Sequence, residues 1–352
     1  MKKKFPALTG LRFIAAMLVF FHHNDYKEKE GLLYQFTSEL HIGVTLFFVL
    51  SGFLITYNYF DYEKLNIKRF FINRFARIYP IYFALTTITF IIYFHKKMYS
   101  LFFILQLYFC NITFIRGFSD KYKFSGIGPG WSLTVEEMFY ILSPIIFFLI
   151  RKNINYRLTL PFIILFLGFI INSVFSVLNI SWLINSNLFL LDFTFFGRSF
   201  EFFAGIGLAI FVLNNKKVLK PKLITYFGVF MLFLSVCILV LINDYDCNKD
   251  RFWSIIFNNY AIPILAVTPL LYGLLFEKTF LRTFLENNII QLLGKSSYVF
   301  YLIHTGFIYL YINDIVENRF AQFIMLNLIS IMIYLYFEKP VNNYIRKKYN
   351  GG

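Results

Sequence analysis

The chain reads as an all-α, polytopic integral membrane protein of about ten transmembrane helices with both termini cytoplasmic. Three observations predict this. Hydrophobic residues make up 58% of the 352 and charged residues only 15%. Apolar stretches recur at the length of roughly 20 residues that crosses a hydrocarbon core. Lys and Arg gather in alternate loops, as the positive-inside rule requires. The net charge of +15 would point to nucleic acid in a soluble protein. Sorted into alternate loops it instead orients a membrane protein, and no nucleic-acid partner is expected.

Taken in order, the spans fall near 8–23, 41–60, 79–95, 132–150, 158–178, 196–213, 223–242, 255–276, 289–312 and 320–337. The opening Met1-Lys2-Lys3-Lys4 and the apolar run behind it have the outline of a signal peptide. No small-residue cleavage site follows, so the run is kept as the first helix. Lys64, Lys68, Arg69, Arg74 and Arg77 share one side with Arg151, Lys152 and Arg157 and with Lys216, Lys217, Lys220 and Lys222. The opposite loops are neutral or mixed, as in Lys27-Glu28-Lys29-Glu30 and Asn243-Asp244-Tyr245-Asp246, which makes that side external. The apolar stretch 101–115 is read as re-entrant or interfacial, because an extra span there would export the Arg151 and Lys216 clusters. There is no internal repeat of the kind that builds many transporters. One membrane domain, 1–340, is expected, followed by a short basic cytoplasmic tail, 341–352. Cys110, Cys237 and Cys247 have neither metal spacing nor the count of a disulfide framework.

The informative residues are ionisable ones inside apolar segments: Arg12, His23, Glu136, Glu137, Arg198, Glu201 and His304. A charge at bilayer depth costs several kcal/mol by most estimates, so such residues are read as functional. Arg12 and His23 stand eleven residues apart, which on a helix places them within roughly 20° of one face and about 16 Å apart along the axis. They can look into one cavity from different depths, Arg12 near the cytoplasmic end and His23 near the external end. The bland alternative for His23 is a hydrogen-bonded packing residue. Glu136 and Glu137 open the fourth span behind Trp131, with Ser132 placed to cap the helix. Their depth suits a carboxylate that orients an imidazole base, and the structural alternative is an ion pair with Arg198.

Arg74 and Arg77 are i, i+3 neighbours if their segment is helical, presenting two forks for bidentate phosphate contact; positive-inside anchoring would supply the same arginines. Ser51-Gly52 is a small pair that permits close helix approach. Glu338-Lys339-Pro340 is expected to end the last span. No nucleophile elbow, phosphate loop or zinc-protease motif occurs, and five scattered His do not suggest a metal site.

In order and content these motifs resemble the acyltransferase-3 family of integral membrane acyltransferases over nearly the whole chain. Leu8-Thr9-Gly10-Leu11-Arg12 through His22-His23 is similar to the family's first helix, with Thr9 where relatives often carry Asp. Gly43 through Ile55 resembles the second-helix signature, Arg74-Phe75-Ala76-Arg77 with Pro80 the RxxR element, and Trp131-Ser132-Leu133 through Glu136-Glu137-Met138-Phe139-Tyr140 the WSLxxEExFY motif. Gly197 through Phe202, Leu293 through Tyr298 with Tyr301 and His304, and Glu338-Lys339-Pro340 resemble the closing pattern; Ser51 of the second-helix signature and Tyr298, His304 and Glu338 of the closing pattern are further candidates.

The resemblance implies transfer of an acyl group, most often acetyl from cytoplasmic acetyl-CoA, to a hydroxyl of a cell-surface glycan such as lipopolysaccharide, capsule or exopolysaccharide, or of a lipid-linked sugar. It implies no permanently bound cofactor, a bacterial inner-membrane location, and glycan-biosynthesis proteins as potential partners. Some relatives add an extracytoplasmic hydrolase-like domain; a chain of this length is expected to act alone or with a separate partner. In the expected mechanism Arg74, Arg77 and Arg12 bind the donor, while His23, Glu136, Glu137 and Arg198 carry the chemistry. The rival expectation is a transporter or flippase for lipid-linked sugars or acyl groups, with the charges lining a path.

Overall fold

The computed structural model describes residues 4–23, 31–60, 66–180, 182–184, 186–214, 223–245 and 251–350, with side chains beyond 243 resuming at 251 and ending at 349. The loop charges at 27–30, 64, 216–222 and 246, and Cys247, lie outside them. The described residues form helices throughout, in the order α1 (Pro6–His23), α2 (Leu32–Ser38), α3 (Ile42–Tyr59), α4 (Ile67–His95), α5 (Leu101–Ile112), α6 (Trp131–Lys152), α7 (Tyr156–Val177), α8 (Asn187–Phe193), α9 (Phe195–Asn214), α10 (Ile224–Tyr245), α11 (Phe252–Ile256), α12 (Thr268–Phe276), α13 (Phe280–Glu286), α14 (Asn288–Ile303), α15 (Phe307–Ile315), α16 (Arg319–Ile333) and α17 (Lys339–Asn350). π turns at Phe257–Ala261 and Pro263–Val267 join α11 to α12. Among the described residues, nine helical segments are long and apolar enough to cross a membrane.

Nine of the ten expected spans overlap these segments, and the differences have physical causes. The segment 289–312 is not one helix: α14 ends at Ile303, and the chain turns at Gly306, whose φ of 91° favours glycine, before α15 begins. The break leaves His304 at the helix end. The third span begins twelve residues early because the Asn66 side chain accepts the Arg69 N–H at 2.9 Å and caps a helix that already includes Arg74 and Arg77. Glu338 does not end the last helix, which passes through a π turn at Tyr334–Glu338 and on to Asn350. With twelve residues, α5 extends about 18 Å, too short to cross the roughly 30 Å core.

The centre of the bundle is α3, packed on α9, with α1 held between α3 and α14. Small residues make these contacts possible. A Cβ on Gly52 would lie 2.1 Å from the Phe202 carbonyl oxygen, and one on Gly205 2.1 Å from that of Val49, so α3 and α9 touch backbone to backbone. Phe48, Phe139 and Phe202 fill the space between α3, α6 and α9, with the Phe139 and Phe202 rings 4.3 Å apart. Outward, α7 and α10 expose Phe162, Phe166, Phe227, Phe230 and Phe233, an apolar perimeter suited to lipid.

Candidate active site

Two neighbouring cavities lie within the bundle. The first, about 60 Å³, is lined by Arg12, Ser51, Arg77, Glu136, Tyr140, Ser297 and Tyr298 among others. The second, about 170 Å³, is lined by His22, His23, His41, Asp192, Arg198, Arg251 and Trp131. Val44 and Tyr301 belong to the walls of both. Each has room for several waters. The helical spacing of Arg12 and His23 thus places them in successive chambers rather than in one.

In the first chamber α3, α4 and α6 converge. Glu136 Oε1 accepts hydrogen bonds from Ser51 Oγ and Tyr140 Oη. Tyr140 follows Glu136 by one helical turn, which makes the second bond local. Arg74 lies with its guanidinium carbon 5.5 Å from the Tyr140 ring centre and 5.9 Å from that of Tyr59. Arg12 interacts electrostatically with Arg77, Arg74 and Glu136, and Glu338 with Arg77 and Arg12. Glu137 lies in the electrostatic field of Glu136 and Arg74. Tyr298 donates to the Ile78 carbonyl at 3.0 Å, tying α14 to the helix that carries both arginines.

In the second chamber the partner of His23 is a histidine, not a carboxylate. His304 Nδ1 lies 2.7 Å from the Tyr301 carbonyl oxygen, an acceptor only, so Nδ1 bears the proton and the neutral ring offers Nε2 as an acceptor. His23 Nδ1 lies 3.1 Å from that Nε2 and 3.0 Å from the Val19 carbonyl oxygen. A proton on His23 Nδ1 satisfies both, and it leaves the lone pair on His23 Nε2. The expectation that Glu136 or Glu137 orients His23 is therefore corrected: Glu136 is held by hydroxyls in the other chamber.

Arg198 also differs from expectation. Its Nε is 2.8 Å from Glu201 Oε2, its Nη1 donates to Asn259 Oδ1 at 2.6 Å, and Asp192 lies 3.8 Å away. The short link Arg198–Glu201 is an i, i+3 pair of α9. Asn258 and Asn259 sit on the first π turn, whose wider winding brings both inward; Asn258 donates to Asn259 Oδ1 at 2.9 Å.

Between the chambers, Tyr301 and Ser132 share a hydrogen bond of 2.7 Å, and both hydroxyls lie near the Pro129 carbonyl, at 3.1 and 3.0 Å. Ser132 therefore bonds across to α14 instead of capping α6. Behind Pro129, Arg116 is fully buried and donates through Nη1 to the Ser125 carbonyl, while a Cβ on Gly130 would fall 1.6 Å from its Nη2. Burial pushes the Arg116 guanidinium down from its usual range. Sequence reading missed Arg116, His41 and Arg251, which stand in or beside loops where no periodicity marks them. The i+4 spacing from Glu136 was a usable signal for Tyr140. Among the described residues no group of His, Cys, Asp and Glu could hold a metal ion.

An acyltransferase-domain family profile matches residues 5–337. A protein of Staphylococcus aureus strain COL, provisionally named an O-acetyltransferase, is 26% identical over 361 residues, covering 95% of this chain and 57% of the relative. The peptidoglycan O-acetyltransferase OatA of Listeria monocytogenes is 28% identical over 46% of this chain and 27% of its own length, and the acyltransferase MdmB of Streptomyces mycarofaciens is 30% identical over 42% and 41%. The chain thus spans little more than half the length of the S. aureus relative. No solved structure matches, and the transporter alternative finds no support among these relatives. With the family profile running from the first helix to the last π turn, the chain belongs to the acyltransferase-3 family.

Proposed function

We propose that this protein is a membrane O-acyltransferase that moves an acyl group, acetyl in the first instance, from cytoplasmic acyl-CoA to a hydroxyl of a cell-surface polysaccharide or lipid-linked glycan. Its setting in this reading is the bacterial inner membrane with both termini cytoplasmic, where glycan-biosynthesis proteins supply the acceptor. The reading rests above all on one observation: a histidine with its Nε2 lone pair free for chemistry stands in a chamber adjoining an arginine-lined one. Arginines at one end suit the phosphates of the donor, and the imidazole at the other suits an acceptor hydroxyl.

In this mechanism Arg74 and Arg77 hold the phosphates and the acyl-bearing arm passes Arg12 toward Val44 and Tyr301. His23 Nε2 takes the proton of the acceptor hydroxyl as its oxygen attacks the thioester carbonyl. A C–O bond forms, the C–S bond breaks, and the departing thiolate regains the proton from His23. His304 is a positioning residue for His23. Arg198, paired with Glu201, shapes the chamber, and Arg251 in the same wall supplies the positive field in which the oxyanion develops. Glu136, Glu137 and Glu338 balance the arginine charges while Ser51 and Tyr298 fix the walls. Membranes containing the protein, given radiolabelled acetyl-CoA and surface glycan, should label the glycan and release one CoA per acetyl. Substrate movement without CoA release would reject the reading.

A further inference from the structure

The basic segment after the last span is not a free tail, and its placement bears on donor binding. Helix α17 packs along α4, and Arg346 Nη2 donates to the Asn73 carbonyl at 3.4 Å. That contact sets the Arg346 guanidinium in the electrostatic field of Arg74 and Arg77, with Tyr59 as its remaining neighbour and no carboxylate among these partners. The carboxylates of this region face the other two arginines, Glu136 and Glu137 beside Arg74 and Glu338 beside Arg77, which leaves Arg346 as the added positive charge. Two of the converging guanidinium groups retain a buried nitrogen without a hydrogen-bond acceptor among the described residues, Arg74 Nε and Arg346 Nε.

Like charges brought together with unmet donors are unfavourable unless an anion joins them. Arg74 and Arg77 come from one turn of α4, and Arg346 approaches from a separate helix, so the three are supplied by two elements. Such a site fits a group with several phosphate oxygens, which can accept from planar forks on different sides. Tyr59 beside it provides an aromatic face.

We propose that Arg346 completes, with Arg74 and Arg77, a three-arginine site for the phosphates on the nucleotide end of the acyl donor, so that α17 is part of the donor-binding domain. The proposal rests on the acyl-CoA reading above. The same chemistry could be offered by an anionic lipid headgroup, so the test separates the two sources by removing phosphates from the donor.

The experiment measures acetyl transfer by the full chain in vesicles of neutral lipid and in vesicles with anionic lipid, with acetyl-CoA or acetyl-pantetheine as donor. Arg346→Gln should raise the KM for acetyl-CoA about 10- to 100-fold, the range expected for lost charge-assisted hydrogen bonds. It should leave the KM for acetyl-pantetheine, which lacks the nucleotide phosphates, unchanged. Arg346→Lys, which keeps the charge and loses the fork, should fall between. Lys347→Gln, on the exposed side of α17, should behave as wild type. An unchanged KM for acetyl-CoA in Arg346→Gln, alongside active wild type, overturns the proposal alone. An effect equal for both donors, or present only with anionic lipid, assigns the site to a headgroup and also overturns it. Failure of wild type to use either donor overturns the acyl-CoA reading, and the proposal with it.

Discussion

Replacing His304 separates the two hydrogen bonds that define His23. In the native arrangement the His23 Nδ1 proton is shared between the Val19 carbonyl at 3.0 Å and His304 Nε2 at 3.1 Å. In His304→Leu the backbone acceptor survives, so the proton stays on Nδ1 and Nε2 remains the basic nitrogen. What is lost is the second anchor of the ring, a hydrogen bond between neutral groups whose net value is about 0.5–1.5 kcal/mol. At about 1.4 kcal/mol per factor of ten, kcat should fall about 2- to 12-fold. Removing the base itself in His23→Ala should cost about 100- to 10,000-fold, the usual weight of general acid–base catalysis. His304→Gln returns an acceptor near the original Nε2 and should recover part of the loss. The assay is steady-state acetyl transfer with membrane levels matched by immunoblot, and the KM for acetyl-CoA should not move, because His304 lies away from the arginines. A His304→Leu loss as deep as that of His23→Ala would refute the reasoning, since His304 would then itself exchange protons with substrate. An unaltered kcat would refute it from the other side.

Three further outcomes follow from the packing and the caps. Gly52→Ala places a Cβ 2.1 Å from the Phe202 carbonyl oxygen, where backbone cannot yield; the detergent-solubilised protein should lose about 1–3 kcal/mol of stability, and an unchanged melting temperature would contradict the contact. Tyr301→Phe removes one hydroxyl from the Ser132–Pro129 set while Ser132 keeps its bond to Pro129 at 3.0 Å, so a loss of about 1 kcal/mol is expected, and one above about 3 kcal/mol would show that the hydroxyl supports more than this network. Glu277 caps α10 from outside the membrane segments: it accepts the Ile224 and Thr225 N–H groups at 2.7 and 2.8 Å. Burial pushes the Glu277 carboxyl up, but these bonds and the Thr225 hydroxyl outweigh it and hold the pKa below the ordinary 4.5. A depressed carboxyl pKa stabilises the fold above 4.5 and loses that contribution as pH falls through the lowered value. Thermal melts of wild type should therefore drop toward those of Glu277→Gln at acid pH, from an advantage of about 0.5–2 kcal/mol at neutrality; a constant gap would count against the cap.

Much of this arrangement was legible in the sequence because membrane helices leave a strong pattern. Apolar runs located the spans, and Ser51-Gly52 marked the approach of α3 to α9. The i, i+3 spacing of Arg74 and Arg77 and the eleven-residue step from Arg12 to His23 depend only on helical geometry. Tertiary facts escaped. The break at Gly306 is a local backbone event inside an apolar stretch, invisible to hydropathy. It ends α14 at Ile303 and leaves His304 at the helix terminus, where His304, rather than a carboxylate of α6, meets His23. Arg198 found Glu201 one turn along its own helix, a nearer partner than those anticipated across the bundle. The continuation of the last helix through Glu338 was hidden by Pro340, which stands at the second position of α17 and does not break it. Arg346, eight residues after Glu338, read as tail charge because nothing local shows that α17 packs on α4.

The most direct measurement of the central claim is O-acetyl content of surface glycan, by NMR, in cells expressing the intact chain or His23→Ala at equal membrane levels. The account predicts an acetyl signal with the intact chain that is lost with His23→Ala. An acetyl signal of equal size with both proteins would contradict it.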